Sequence, residues 1–98
     1  MFLHLGGEVV VHTNDIIAIF DMQSTLKSKI SKEFLKSFED EGNIRIISNE
    51  EPRAFVIIKE SKKGKKENKR SKSIIYYSPI SALTLQKRAG FLDDIEKY

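Results

Sequence analysis

The first twenty-one residues contain short apolar runs that are typical of β-strands. Residues 2–5 and 8–12 are separated by Gly6-Gly7, a pair suited to a two-residue hairpin turn because both glycines can adopt positive φ. This pattern predicts a β-hairpin. Residues 13–15 predict a turn or a brief helical cap, and the β-branched run at 16–20 predicts a buried strand.

Residues 24–41 show helical periodicity, with lysines on many of the remaining positions. We predict one amphipathic helix here, with Ser24 capping its first turn. Gly42 is expected to end the helix because glycine accepts the left-handed conformation. The predicted apolar face comprises Leu26, Ile30, Phe34, Leu35 and Phe38.

The second half of the chain predicts three strands. Residues 45–48 and 54–60 are β-rich and are joined by the turn-forming residues 49–53, so we predict an antiparallel pair. The third strand spans 74–77 and ends at Pro79. Tyr76 and Tyr77 alternate along it, which predicts that one packs inward and the other is exposed or lies at an interface.

A short helix should follow this strand, capped by Ser81 and stopped by Gly90, with a last amphipathic turn at 91–98. The strands come in runs without strict βαβ alternation. The sequence therefore predicts an α+β fold with a mostly antiparallel β-sheet, one central amphipathic helix and a short C-terminal helix.

A chain of 98 residues is expected to form a single domain, 1–98. Such a domain buries a modest fraction of its surface, and with no cysteine it has no disulfide to support it. Self-association would supply additional buried surface.

Positive charge is concentrated in one stretch. Residues 59–72 hold eight basic and two acidic side chains, a balance of +6, while the whole chain carries +3. Residues 61–73 contain no apolar side chain, so we predict a basic flexible loop at 60–73. Such a run is either a solvated loop or a contact for nucleic acid or another anionic surface. The candidate phosphate-binding residues in it are Lys62, Lys63, Lys65, Lys66, Lys69, Arg70 and Lys72.

The sequence offers little for catalysis. His4 and His12 are the only histidines, no third metal ligand is evident near them, and no glycine-rich phosphate-binding motif is present. We therefore predict no enzymatic activity, no metal and no cofactor. No run of eighteen apolar residues and no secretory signal is evident, so the expected location is the cytoplasm, without a membrane partner.

Two segments, HLGGEVVVHTNDIIAIFD at 4–21 and IIYYSPISALTLQKRAGF at 74–91, resemble the RemA/RemB family of extracellular-matrix (biofilm) regulators of Gram-positive bacteria. The resemblance implies a cytoplasmic DNA-binding transcriptional regulator with a LytTR-related domain that assembles into closed rings. In the RemA branch the turn before residues 54–58 is rich in arginine, whereas this chain has Glu50, Glu51 and Pro52 before Arg53. The RemA branch also tends to be basic at the position of Asp15.

The resemblance and the charge pattern together lead to two hypotheses. In the first, the protein is a homo-oligomeric ring that contacts the phosphates of double-stranded DNA through Arg53 and the lysines of the 60–73 loop. In the second, it is an interaction subunit that associates with a paralogous regulator and does not bind DNA. Glu50, Glu51 and Asp15 favour the second hypothesis, since carboxylates repel phosphates.

Overall fold

The computed structural model describes residues 1–60 and 72–91. Within these ranges the chain forms an α+β fold, as predicted, with six strands, three α-helices and one short 3-10 helix. In chain order these are β1 (Phe2–Gly6), β2 (Val9–His12), the 3-10 helix (Thr13–Asp15), β3 (Ile16–Asp21), α1 (Met22–Thr25), α2 (Lys29–Asp40), β4 (Ile44–Ile46), β5 (Ala54–Glu60), β6 (Lys72–Ser78) and α3 (Ala82–Arg88).

Strands β3 to β6 form a four-stranded sheet in the order β3-β5-β6-β4, and β1 pairs with β2 in a separate hairpin. The β3–β5 and β5–β6 pairs are antiparallel, so the mostly antiparallel prediction is confirmed. The predicted antiparallel pairing of 45–48 with 54–60 is wrong, because β4 lies parallel to β6. After α2 the chain enters this edge directly, and the Asn43 carbonyl accepts a hydrogen bond from the Ile75 N–H at 2.9 Å.

The sheet is the middle of three layers because β5 buries side chains on both of its faces. The hairpin and α3 cover the first face, and α1 and α2 cover the second. The first core cluster contains Leu3, Leu5, Ile19, Ala54, Val56, Ile58, Ala82 and Leu85. The second contains Met22, Leu35, Phe55, Ile57 and Ile75.

The hairpin is confirmed, and its turn lies close to other parts of the chain. Gly6 and Gly7 both have positive φ, 122° and 55°. A Cβ atom at Gly6 would lie 3.1 Å from the Pro79 ring, and one at Gly7 would lie 3.2 Å from the Ile47 side chain. Glycine at these two positions therefore satisfies both the turn conformation and the close approach.

Ser78 connects the hairpin to the sheet. Its side chain is fully buried, its hydroxyl donates to the Leu5 carbonyl at 2.6 Å, and the same oxygen accepts from the Ile80 N–H at 3.0 Å. Both partners are backbone groups that would lose a hydrogen bond without this hydroxyl. The serine thus links β1, the end of β6 and the turn before α3.

We expect Ser78→Ala to lower the free energy of unfolding by about 1 to 3 kcal/mol, because it leaves a buried carbonyl and an N–H without their partner. Denaturant unfolding would measure the change. Ser73→Ala, on the same strand but half-buried, is the matched control and should stay within about 0.5 kcal/mol of the wild type. Equal unfolding midpoints for the two variants would contradict the role given to Ser78.

The predicted single helix at 24–41 is divided in two. Ser24 lies inside α1 and does not cap it; the Asp21 carboxylate accepts from the Ser24 N–H at 2.8 Å instead. Ser28 is extended, with φ −108° and ψ 128°, and its hydroxyl caps α2 by accepting from the Ser31 N–H. These short polar side chains compete with continuous helix by bonding the backbone locally. Gly42 follows α2 with φ 74°, as predicted.

The prediction of a buried strand at 16–20 is wrong in its burial. Of the side chains in β3 only Ile19 is buried, because β3 is an edge strand and Ile17 lies in a bulge. The two tyrosines lie on opposite faces of the sheet, as predicted, but neither is exposed: both are half-buried, Tyr76 on the first cluster and Tyr77 on the second. Burial raises the pKa of the Tyr77 hydroxyl, and a nearby carboxylate adds to the effect.

Three residues of the predicted loop at 60–73 belong to strands instead, because Glu60 pairs with Lys72 and Ser73 pairs with Lys59 in β5 and β6. Its remaining residues, 61–71, lie outside the described residues. The C-terminal helix is confirmed: Ser81 caps it and Gly90 follows with φ 86°. Residues 92–98 of the predicted last turn also lie outside the described residues.

Candidate nucleic-acid interface

Arg53 lies at one end of the sheet, immediately before β5. Its backbone is fixed on both sides: its N–H donates to the Ser78 carbonyl at 2.8 Å, and its carbonyl accepts from the Met22 N–H at 3.0 Å. The side chain is exposed and contributes to an open cleft of about 540 Å³. We call this end of the sheet the Arg53 end.

Carboxylates outnumber the single guanidinium in this cleft. Asp21, Glu50 and Glu51 line it together with Arg53. The hydrogen bond from the Ser24 backbone N–H holds the pKa of Asp21 below its usual value, and the positive charge of Arg53 lowers it further. All three carboxylates are exposed, and they outnumber the one guanidinium that lines the cleft, so the formal charge of the Arg53 end is negative.

The opposite end of the sheet is where β5 ends and β6 begins. Lys59 and Lys72 are exposed there, and Glu60 lies directly across the strand pair from Lys72. We call this the Lys72 end. The other predicted phosphate-binding residues belong to the segment 61–71, which connects these two strands and lies outside the described residues.

The two parts of the predicted DNA contact therefore lie at opposite ends of the same strand. Arg53 precedes β5 and Lys72 pairs with its last residue, Glu60. A strand rises about 3.3 Å per residue, so the seven residues of β5 separate the two ends by roughly 20 Å. Within one subunit, Arg53 and Lys72 do not form one continuous contact surface. Lys59, which is not among the predicted residues, lies at the same end as Lys72 but on the opposite face of the sheet, since it pairs with Ser73 and follows the alternation of Phe55 and Ile57.

The two histidines lie on the outer face of the hairpin, since His4 pairs with Val10 and Phe2 pairs with His12. The His4 ring bonds the Gly7 carbonyl at 2.8 Å. The Nδ1 atom of His12 accepts from the Asn14 N–H at 3.1 Å. In residues 1–60 and 72–91 no group of three histidine or carboxylate side chains is arranged to hold a metal ion.

Apolar side chains are exposed on both outer layers of the molecule. On the helical layer we define the helix surface as Leu26, Ile30 and Phe34, of which Ile30 is 79% exposed. On the other layer we define the hairpin surface as Met1, Phe2 and Val10. One helix is about 10 Å wide, whereas four strands span at least 14 Å, so α2 cannot cover its whole face of the sheet. Consequently Ile46 on β4 is 73% exposed and Phe20 on β3 is partly exposed.

Several residues of the segment YYSPISALT at 76–84 have structural roles. Ser78 holds the hairpin, Pro79 packs on Gly6, and the Ser81 hydroxyl caps α3 by accepting from the Thr84 N–H at 3.2 Å. None of the α-helices in the described ranges has both the length and the apolar character needed to cross a membrane.

Comparison with known proteins identifies the family. The model of the RemA-like family, described as "Extracellular matrix regulatory protein A-like", matches residues 2–89. The chain is also 35% identical over 96 residues to extracellular matrix regulatory protein B of Bacillus subtilis (strain 168), an alignment that covers 98% of this chain and 99% of that relative. The chain belongs to the RemA-like family of extracellular matrix regulatory proteins.

Proposed function

We propose that this protein is a DNA-binding transcriptional regulator of the extracellular-matrix type, which acts as a homo-oligomeric ring and holds double-stranded DNA through phosphate contacts. The observation that carries the proposal is the separation of charge along the sheet. Residues 59–72 hold a balance of +6 and begin and end in the β5–β6 pair, while the Arg53 end is acidic. A localised cluster of cations is the electrostatic footprint of phosphate binding.

The exposed apolar surfaces support assembly. The helix surface and the hairpin surface lie on opposite layers of the subunit, since one overlies the second core cluster and the other overlies the first. A ring is built from head-to-tail contacts, in which one surface of each subunit meets a different surface of the next. A subunit with two separate apolar surfaces has the parts that such a contact requires.

Ring formation would also compensate for the weakness of each contact. Lysine is a point charge on a flexible stem, so one subunit should bind DNA weakly and with little base discrimination. Several copies held at fixed spacing raise the overall affinity through effective concentration. DNA shape, or contacts repeated at the subunit spacing, would then provide selectivity.

The acidic Arg53 end favours a second candidate function. Arg53 is the arginine that remains in a turn where the RemA branch is arginine-rich, and here it shares its cleft with Asp21, Glu50 and Glu51. Three carboxylates around one guanidinium oppose phosphate binding at this position. In the alternative function the protein is an interaction subunit of a paralogous regulator and does not itself contact DNA.

Light scattering coupled to size-exclusion chromatography tests the proposal, with and without a mixed-sequence duplex at two salt concentrations. We expect a closed oligomer that binds the duplex at low salt and releases it at high salt. An oligomer that binds no DNA at either salt would contradict the DNA-binding function and favour the interaction subunit. A monomer would contradict the ring.

The proposal also assigns a cellular location and the absence of catalysis. A regulator that acts on DNA in bacteria works in the cytoplasm and needs no enzymatic activity or cofactor. The relation of the fold to the LytTR domain, which the family resemblance implies, stays a prediction.

A further inference from the structure

We infer that Lys87 and Arg88, in the last turn of α3, contact the DNA backbone on the same side of the molecule as the Lys72 end. This inference rests on the proposed function and assigns it two further binding residues on a rigid element. It also moves the centre of the contact away from Arg53. The ligand is the phosphate backbone of a duplex, which presents one negative charge per about 1.7 Å of its axis.

The direction of α3 brings these two residues toward the Lys72 end. The helix begins at Ser81, just after Ser78, which pairs with Ala54 at the Arg53 end of the sheet. Five residues after Ser81, the Gln86 side chain donates to the Ile19 carbonyl at 3.1 Å, and Ile19 pairs with Val56. Between these anchors α3 has advanced two residues along β5 in the direction of Glu60. Lys87 and Arg88 directly follow Gln86 and end the helix, so they lie at the end of α3 that is nearer to Glu60.

Lys87 and Arg88 are exposed on a helix that is firmly held. Ala82 and Leu85 are buried in the first core cluster, and the hydrogen bond from Gln86 fixes the helix against β3. Lys87 and Arg88 themselves are exposed and pair with no carboxylate of residues 1–60 and 72–91 within 4.0 Å. Packing therefore explains the apolar residues on the buried side of α3, but it does not explain the exposed Lys87 and Arg88.

The charge around the Lys72 end fits a polyanion. Lys72, Lys87 and Arg88 are three cations on the face of the sheet that the hairpin and α3 cover, against Glu60 and Asp15. Lys59 adds a fourth cation at this end, on the opposite face of β5. By the alternation of β6, Lys72 points to the same side of the sheet as Tyr76, which packs on the first cluster beneath the hairpin and α3. Arg88 adds what the lysines lack, a planar fork able to bind two phosphate oxygens at once.

A structural role for the pair predicts a different result. Cations in the last turn of a helix interact favourably with its dipole, so Lys87 and Arg88 could act only by stabilising α3. That effect would appear in the thermal midpoint and would leave the salt dependence of DNA binding unchanged. The two roles are thus separable in one pair of measurements.

The test compares Lys87→Gln/Arg88→Gln with Lys32→Gln/Lys36→Gln, a control that removes the same charge from exposed positions on α2 across the sheet. Binding to a mixed-sequence duplex is measured at several salt concentrations, with light scattering to verify equal assembly. We expect the α3 variant to bind at least tenfold more weakly at about 0.1 M salt, with the slope of log K against log salt reduced by about 2. The control should stay close to the wild type, and Arg88→Lys, which keeps the charge but loses the planar fork, should keep the wild-type salt slope and bind more weakly than the wild type.

Three results would overturn the inference. An α3 variant with wild-type affinity and slope would exclude a phosphate contact by this pair. Equal losses in the α3 variant and the α2 control would mean that total charge, and not position, sets the affinity. A wild-type protein that binds no DNA at low salt would overturn the proposed function itself, and this inference with it.

Discussion

Replacing the six basic residues of segment 61–71 with glutamine is expected to abolish most DNA binding while leaving the fold and the assembly intact. The substituted residues are Lys62, Lys63, Lys65, Lys66, Lys69 and Arg70. Each phosphate contact contributes about 0.9 to the slope of log K against log salt. The loss of even three contacts among the six side chains therefore lowers the affinity by about 500-fold at 0.1 M salt. The rest of the chain should stay folded because none of the substituted residues takes part in the pairing of β5 with β6. That pairing runs from Ala54 with Ser78 to Glu60 with Lys72.

The matched control replaces the five lysines with arginine, which keeps the charge and changes the head group. This variant should bind at least as well as the wild type, since arginine also binds phosphate. Titration of a labelled duplex at three salt concentrations measures both variants, and circular dichroism verifies their folding. A glutamine variant with unchanged affinity would contradict the assignment of this segment to DNA.

If the protein forms the proposed ring, Ile30→Asp is expected to convert that ring into smaller species. The Ile30 side chain is 79% exposed in the subunit, so a polar replacement there leaves the core of the subunit intact. In an assembly that buries the helix surface, the change loses about 1.5 to 3 kcal/mol of apolar burial and adds a charge that must be desolvated. Since about 1.4 kcal/mol corresponds to a factor of ten, the association constant per contact should fall by about 100-fold or more.

Leu83→Asp provides the control for this experiment, because Leu83 is 58% exposed on α3 and belongs to neither apolar surface. Analytical ultracentrifugation over a range of concentrations would measure assembly, and thermal unfolding would show that each subunit still folds. We expect the Leu83 variant to assemble as the wild type does. If the Ile30 variant does so as well, the helix surface is not the contact between subunits.

Local signals in the sequence correctly predicted the elements that depend on neighbouring residues. Gly6-Gly7 predicted the hairpin, Ser81 the start of α3, and Gly42 the end of α2, because each effect acts within a few residues. The division of the central helix was also within reach. Asp21 and Ser28 each precede a serine by three residues, and each accepts a hydrogen bond from the N–H of that serine. The prediction of one helix, which was based on helical periodicity, missed these two caps.

Features that depend on distant residues were not predicted. The position of β4 beside β6 is fixed by contacts such as the hydrogen bond from Ile75 to Asn43, which are separated by 32 positions. The distance between Arg53 and Lys72 depends on the straight course of β5 between them. The sequence identified Arg53 and Lys72 as candidate phosphate-binding residues, but only the register of the sheet shows that they lie at opposite ends. The distance between the two parts of the candidate site is therefore set by the sheet topology and could not be predicted from the sequence.

The complete pairing of β5 with β6, up to Glu60 and Lys72, has a consequence for how this protein can change over evolution. The segment 61–71 closes a strand pair that other contacts already hold together, so its length enters stability chiefly through loop-closure entropy. Doubling the length of such a connection costs only about 0.6 kcal/mol. Insertions, deletions and charge changes there would therefore retune the attraction to the proposed DNA partner over orders of magnitude while the folded body stays nearly unchanged.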